Sequence, residues 1–300
     1  MKRISFILAF MVLSLCLFAQ EETVEQKDTL WTVGGIASLN MSQLALINWS
    51  AGGDNNISGN ALVKLSADYD NGTLLWDNDL TLGFGLIKMG NDLARKSDDQ
   101  IDFASMLGYK ATEKWSYSAL LGFKTQFADG FDDPGEPTRI KISNFMAPAY
   151  LNFSVGMDYK PNDNLGLFLS PISTKTTFVM DDFLSAAGSF GLDEDETVRG
   201  ELGAYVKFTY VKEVLKNVTL DTKIDLFSNY LDNPQYVDVN WDMLITFKVN
   251  EFISASLMTS LIYDHDIKFE YDNDNDGVMD GEEARVQLKE LFGLGLTYSF

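Results

Sequence analysis

Asp272-Asn-Asp-Asn-Asp-Gly-Val-Met-Asp-Gly-Glu-Glu283 is the stretch of this chain whose residue types and spacing most directly imply site chemistry. Asp272, Asp274 and Asp276 stand at positions 1, 3 and 5 of a twelve-residue loop, with Gly277 at 6 for a sharp turn. Val278 offers its backbone carbonyl at 7, Asp280 follows at 9, and Glu283 at 12 can bind through both carboxylate oxygens. Hard oxygen donors on a tight turn suit Ca²⁺, so these residues are the expected metal ligands and Ca²⁺ the expected structural cofactor. An acidic, solvated loop is the competing reading. The sole histidine, His265, lies in Tyr-Asp-His-Asp266 on the oily phase of a strand, with no Ser or Asn spaced around it as a nucleophile would be. No catalytic residue and no enzyme activity is therefore expected.

The residues around this loop alternate with period 2, the pattern of strands and not of helices. Such segments recur at about 30–41, 57–69, 73–88, 99–110, 114–127, 143–159, 164–180, 197–212, 217–230, 236–249, 252–270 and 284–300. Short links such as Asp70-Asn71-Gly72, Pro161–Asn164 and Val249–Glu251 alternate with long polar ones, among them 128–142, 181–196 and 271–283. That asymmetry predicts an all-β chain folded as a transmembrane antiparallel up-and-down β-barrel of about 12 strands, with the calcium loop on its last long hairpin. There it would stiffen the loop or bridge it to anionic lipopolysaccharide. A soluble sandwich could alternate in the same way, but two packed sheets rarely hold so many strands of this length.

The termini fit the same picture. Lys2 and Arg3 precede an apolar run to Phe18, with a small residue at Ala19 before Glu21 and Glu22. Residues 1–20 read as a signal peptide and 21–300 as the barrel domain. The chain's one cysteine, Cys16, falls within that leader, so the mature chain would have neither disulfide nor thiol chemistry. The 44 acidic residues against 23 basic ones argue against nucleic acid as a partner. At the other end Phe292, Leu294, Leu296, Tyr298 and Phe300 form one oily face that stops on an aromatic. This resembles the terminal strand of bacterial outer-membrane barrels. The resemblance implies location in the Gram-negative outer membrane, lipid and lipopolysaccharide as surroundings, and the barrel-assembly machinery as a partner. Tyr69, Trp76, Tyr109, Trp115, Tyr117, Tyr159, Tyr210 and Tyr298 gather beside the short turns, as an interfacial girdle would.

The other phase of each strand predicts a charged lumen. Inward acids include Asp68, Asp77, Asp79, Asp102, Asp158, Glu201, Asp221, Asp225, Asp238, Asp242, Asp264 and Asp266. Inward bases include Lys64, Lys110, Lys124, Arg199, Lys207, Lys223, Lys248, Lys268, Arg285 and Lys289. Signs this nearly balanced pair across strands, whereas a strongly selective pore would show rings of one sign. Twelve strands fall between the eight that side chains plug and the sixteen that leave a channel.

Ser38-Leu39-Asn40, Ser42-Gln43, Asn48-Trp49 and Gly52-Gly53, with the later Leu169–Lys175 and Asp158–Pro161 stretches, resemble an uncharacterised barrel family typical of Bacteroidota, a domain of unknown function. The resemblance implies a barrel and its location but no activity. Asn48-Trp49 beside the Gly pair reads as a tight first loop anchored at the lipid interface, or as a gate folded over the mouth. The expected function is a passive, porin-like channel for small polar solutes. The alternatives are an occluded structural or interaction barrel of the envelope and, less favoured, a lipid-modifying outer-membrane enzyme centred on His265.

Overall fold

Alternation places one side-chain set on each face of every strand, and a closed ring leaves no strand edge unpaired. The protein, in a computed structural model, does this with strands β1 (Trp31–Leu44), β2 (Asn56–Asp70), β3 (Leu74–Met89), β4 (Arg95–Lys110), β5 (Trp115–Thr125), β8 (Ala149–Asn162), β9 (Leu165–Phe178), β10 (Val198–Leu215), β11 (Val218–Asn229), β12 (Val237–Lys248), β13 (Ile253–Tyr263) and β16 (Gln287–Ser299). Each pairs antiparallel with its neighbour in this order, and β1 meets β16 to close the ring. Two small hairpins, β6 (Gly130–Phe131) with β7 (Lys141–Ser143) and β14 (Lys268–Tyr271) with β15 (Gly281–Ala284), lie outside that ring. A short helix α1 (Asp182–Ala186) sits in the link after β9. The described residues are 30–47, 54–132, 139–271 and 279–300, so the expected leader lies outside them.

The outward face is oily. Leu39, Met41, Leu121, Phe153, Ile172, Leu288, Phe292 and Leu294 are exposed on it, while Leu62, Leu120, Phe168 and Leu244 turn inward and are buried. An apolar belt outside and charge inside is the arrangement of a transmembrane barrel, the reverse of a soluble sandwich. Among the described residues no helix is long and apolar enough to cross a membrane; the strands do so. Beside the short turns Trp31 packs on Tyr69 and Trp76, with ring centroids 5.3 and 5.6 Å apart, and Trp115 packs on Tyr159 at 4.6 Å. These rings form the core of the expected girdle. At the seam, Gly35 and Phe300 exchange backbone hydrogen bonds of 2.9 and 3.1 Å. A Cβ on Gly35 would lie 2.6 Å from the Phe300 ring and 2.9 Å from the Lys64 carbonyl, so only glycine lets the terminal phenyl lie against the seam.

Three predicted strands are corrected. The segment expected at 143–159 enters the wall only at Ala149. Asn144 and Ala147 first close a tight turn on each other, and Pro148 has no N–H to donate to a ladder. The segment expected at 252–270 leaves the wall at Tyr263, because the Asp264 side chain accepts from the Asp266 N–H at 2.9 Å and turns the chain. The segment expected at 284–300 enters the wall only at Gln287, because Ala284 belongs to the β14–β15 hairpin.

Candidate functional site

The lumen holds the charge chemistry of the described residues. Ranked around the twelve-strand ring, β2 and β11, β4 and β11, and β5 and β12 are each five places apart, one short of diametrically opposite. Side chains from these strands nevertheless touch. Lys64 on β2 meets Asp221 on β11 at 2.5 Å, and Lys223 on β11 meets Asp102 on β4 at 2.8 Å. Lys124 on β5 lies 3.8 Å from both Asp102 and Asp242, the latter on β12. Ion pairs joining nearly opposite walls cross the lumen and narrow it at this level. Beside this belt, Leu120, Phe168, Tyr205 and Phe227 form a buried cluster backed by Ala104 and Met106, and the Tyr205 hydroxyl donates to Asp225 at 2.5 Å.

On the short-turn side of the belt the lumen widens into a vestibule of about 980 Å³. Its wall runs from the turns at Glu113-Lys114 and Asn162–Asn164 down to Lys64, Lys223 and Asp242. On the long-loop side a denser network replaces open space. Lys175 sits among Asp238 at 2.7 Å, Asp264 at 3.0 Å and Glu201 at 3.6 Å. Arg199 holds Asp266 and Glu201 and donates to the Gly191 carbonyl at 2.5 Å. Gly191 has φ +78°, and a Cβ there would come within 3.1 Å of Asp266, so glycine lets this link rest against the 264–266 turn. Lys96 donates to Asp99, Gln126, the Ala128 carbonyl and Ser143 at 2.8–3.3 Å.

The long links carry their own small core of Ala147, Val179, Leu184 and Leu192, with Phe190 against it. Asp181 caps α1 by accepting from the Phe183 and Leu184 N–H groups and binds Lys141 at 2.8 Å. The Lys141 ammonium, with help from Asn144 and the Leu184 N–H, holds the Asp181 carboxyl below its ordinary pKa. The carboxylate in turn raises Lys141.

Most inward assignments hold: Lys64, Asp102, Lys124, Arg199, Glu201, Asp221, Lys223, Asp238, Asp242 and Lys289 all join the network, Lys289 through Asp98 at 2.7 Å. Lys268 and Arg285 do not; Lys268 is exposed on β14 and Arg285 is exposed just after β15. Lys248 is likewise exposed, at the short-turn end of β12. Lys175 and Lys160 were missed. Lys160 reads as part of a turn in the sequence, yet it bonds Asp77 inside the mouth. Lys175 was hidden by a phase slip. The register breaks on both sides of Pro171, so β9 faces inward at Phe168 and Ser170 but then at Ser173, Lys175 and Thr177.

Asp272, Asp274, Asp276 and Val278 lie outside the described residues. Asp280 donates its N–H to the Tyr271 carbonyl at 2.8 Å, and Glu283 on β15 accepts from Arg285 Nε at 2.8 Å. Tyr271 and Gly281 are register partners, so the hairpin brings both ends of the loop together. Carboxylate and carbonyl oxygens at these sequence positions are the donor types Ca²⁺ takes, with Arg285 the group that Glu283 would have to release. Among the described residues no group of three or more metal-ligating side chains occurs. His265 is not on a strand but in the turn after β13; its ring stacks on Tyr236 at 3.6 Å, and its Nδ1 lies 3.4 Å from the Tyr263 hydroxyl.

The fold and lumen define a twelve-strand transmembrane β-barrel. Residues 41–131, from within β1 to β6, match the model of a family described as "Protein of unknown function (DUF3078)", in agreement with the expected kinship to an uncharacterised barrel family. Of the signature residues, Ser38, Leu39, Asn40, Ser42 and Gln43 lie on β1, whereas Asn48, Trp49, Gly52 and Gly53 fall outside the described residues. No curated protein matches the chain. Solved structures similar to it include the translocator domain of the autotransporter NalP from Neisseria meningitidis, 9% identical, covering 99% of this chain and 98% of that one with a TM-score of 0.41. An outer membrane channel from Pseudomonas putida F1 is 12% identical, covering 94% and 98% with a TM-score of 0.38. The NanC porin is 10% identical, covering 88% and 98% with a TM-score of 0.36. At these scores nothing about this chain's activity follows from theirs.

Proposed function

We propose that the protein is an outer-membrane channel for small polar solutes, shut at rest by its lumen-crossing ion pairs, with its short turns facing the periplasm. The observation that carries this reading is the junction of a wide polar vestibule with the Lys64–Asp221, Lys223–Asp102 and Lys124–Asp242 belt. Half-buried ion pairs such as these add little net stability compared with well-packed apolar side chains, so a belt of them is a poor choice for a permanent plug. They can, however, exchange partners with an entering charged solute. Single-channel recording in planar bilayers tests this. The wild type should open rarely, and the double substitution Lys124→Ala/Lys223→Ala should raise open probability at least tenfold. Silence from both, with folding shown by heat-modifiable gel migration, rejects the channel.

The second reading, an occluded barrel that works through its loops, draws on the separate core under Val179 and Leu184. In either case Ca²⁺ held by Asp272, Asp274, Asp276, Val278, Asp280 and Glu283 would stiffen the last long hairpin or link it to lipopolysaccharide phosphate. The carboxylate ligands would supply the charge and the Val278 carbonyl a neutral donor.

A further inference from the structure

Two strands of the vestibule wall carry an arrangement that barrel stability alone does not account for. Asp68 on β2 and Asp77 on β3 are direct register partners, and like charges placed opposite each other across a ladder are destabilising. Lys160 compensates Asp77. Among the described residues, neither Asp68 nor Asp79, two positions further along β3, has a basic group at ion-pair distance. Facing them, Lys207 on β10 makes no ion pair among the described residues, although it lines the same cavity. Strand β10 is six places from β2 and five from β3 around the ring of twelve, so charges of opposite sign that make no close ion pair among the described residues stand on opposite walls, with Asp225 the register partner of Lys207 on β11.

We infer that the vestibule is a binding site for small zwitterions of the short, unmodified peptide class, with the amine held by Asp68 and Asp79 and the carboxylate by Lys207. A cation alone would leave Lys207 unmatched, and an anion alone would leave the two carboxylates unmatched. A molecule with separated charges of both signs answers both walls at once. The volume of about 980 Å³ is at the roomy end of small-molecule sites, which suits a flexible peptide more than a single amino acid. The inference rests on the channel reading and names its solute class.

Isothermal titration calorimetry on the detergent-folded barrel provides the test, with triglycine, N-acetyl-triglycine and triglycine amide as probes. Triglycine should bind, and capping either end should weaken binding at least tenfold. In Asp68→Asn/Asp79→Asn the N-acetyl cap should no longer matter, and in Lys207→Gln the amide cap should no longer matter. Equal binding of all three probes overturns the inference, as does the absence of heat from a barrel shown to be folded. Because no current is measured, a barrel that binds but never conducts refutes only the channel, and one that conducts without binding refutes only the peptide site.

Discussion

The short-turn and long-loop halves of the barrel share the same alternating strands but handle charge in opposite ways. In the long-loop half Lys175 has three carboxylates within 3.6 Å, Arg199 is held by two carboxylates and a carbonyl, and Lys96 donates to four acceptors. In the short-turn half Asp68, Asp79 and Lys207 stand around open space. The difference lies in the connections. Links such as 179–197 and 264–267 are long enough to fold back and supply Gly191, Asp264 and Asp266 to the lumen, whereas a turn such as Asn71–Thr73 has nothing to spare. The strands provide a charged interior that they partly neutralise themselves, and the long links add Asp264, Asp266 and the Gly191 carbonyl to that neutralisation in one half only.

Removing the cation from the sealed half should break this contrast most severely. Lys175→Ala leaves Glu201, Asp238 and Asp264 together without their shared base, which predicts a loss of about 3–5 kcal/mol in urea unfolding followed in micelles. An unchanged midpoint would show that the three carboxylates do not depend on it. Next is Phe168→Ala, which empties part of the buried cluster beside the belt. A loss of about 3 kcal/mol together with increased leak of small solutes from proteoliposomes is expected. Stability loss without leak would assign the seal to the ion pairs alone.

Calcium sharpens the comparison from the long-loop side. Saturating Ca²⁺ should stabilise the wild type by about 1–3 kcal/mol in thermal unfolding, and Glu283→Gln should remove most of that gain. A calcium response that survives in Glu283→Gln would place the ion elsewhere.

Acid should loosen the cap of α1. The folded-state pKa of Asp181 is depressed, so its stabilising contribution is present above the unfolded carboxyl pKa and disappears as pH falls through the lower folded value. Hydrogen exchange at the Phe183 and Leu184 amides should therefore speed up only below about pH 4, relative to intrinsic rates. In Asp181→Asn, which keeps an oxygen for the cap but loses Lys141, that acid step should vanish. The smallest effect belongs to the mouth: Lys110→Met removes an exposed pair with Asp70 at 3.1 Å and should change stability by no more than about 0.5 kcal/mol.

Much of this architecture was legible because facing is a local property. In β11 the alternation of Val218, Leu220, Ile224 and Leu226 with Thr219, Asp221, Lys223 and Asp225 marks its two faces without knowledge of any neighbour. The strand count and the girdle followed from the same pattern and its punctuation. It failed where a local irregularity changed the phase, as at Pro171 before Lys175, and where polar side chains turned the chain out of the wall, as at Asp264.

By itself, the sequence determined that a ring of about twelve strands would form with oil outside and charge inside. Tertiary structure alone decided which charges meet. Lys64 and Asp221 are 157 residues apart, and Lys223 and Asp102 are 121 apart. Their contact depends on how far each strand is staggered when the ring closes, a quantity summed over every register in the wall and encoded in no single segment. The same closure sets Asp68 and Asp79 on one wall of the vestibule and Lys207 on the other, with no close ion pair to any of them among the described residues.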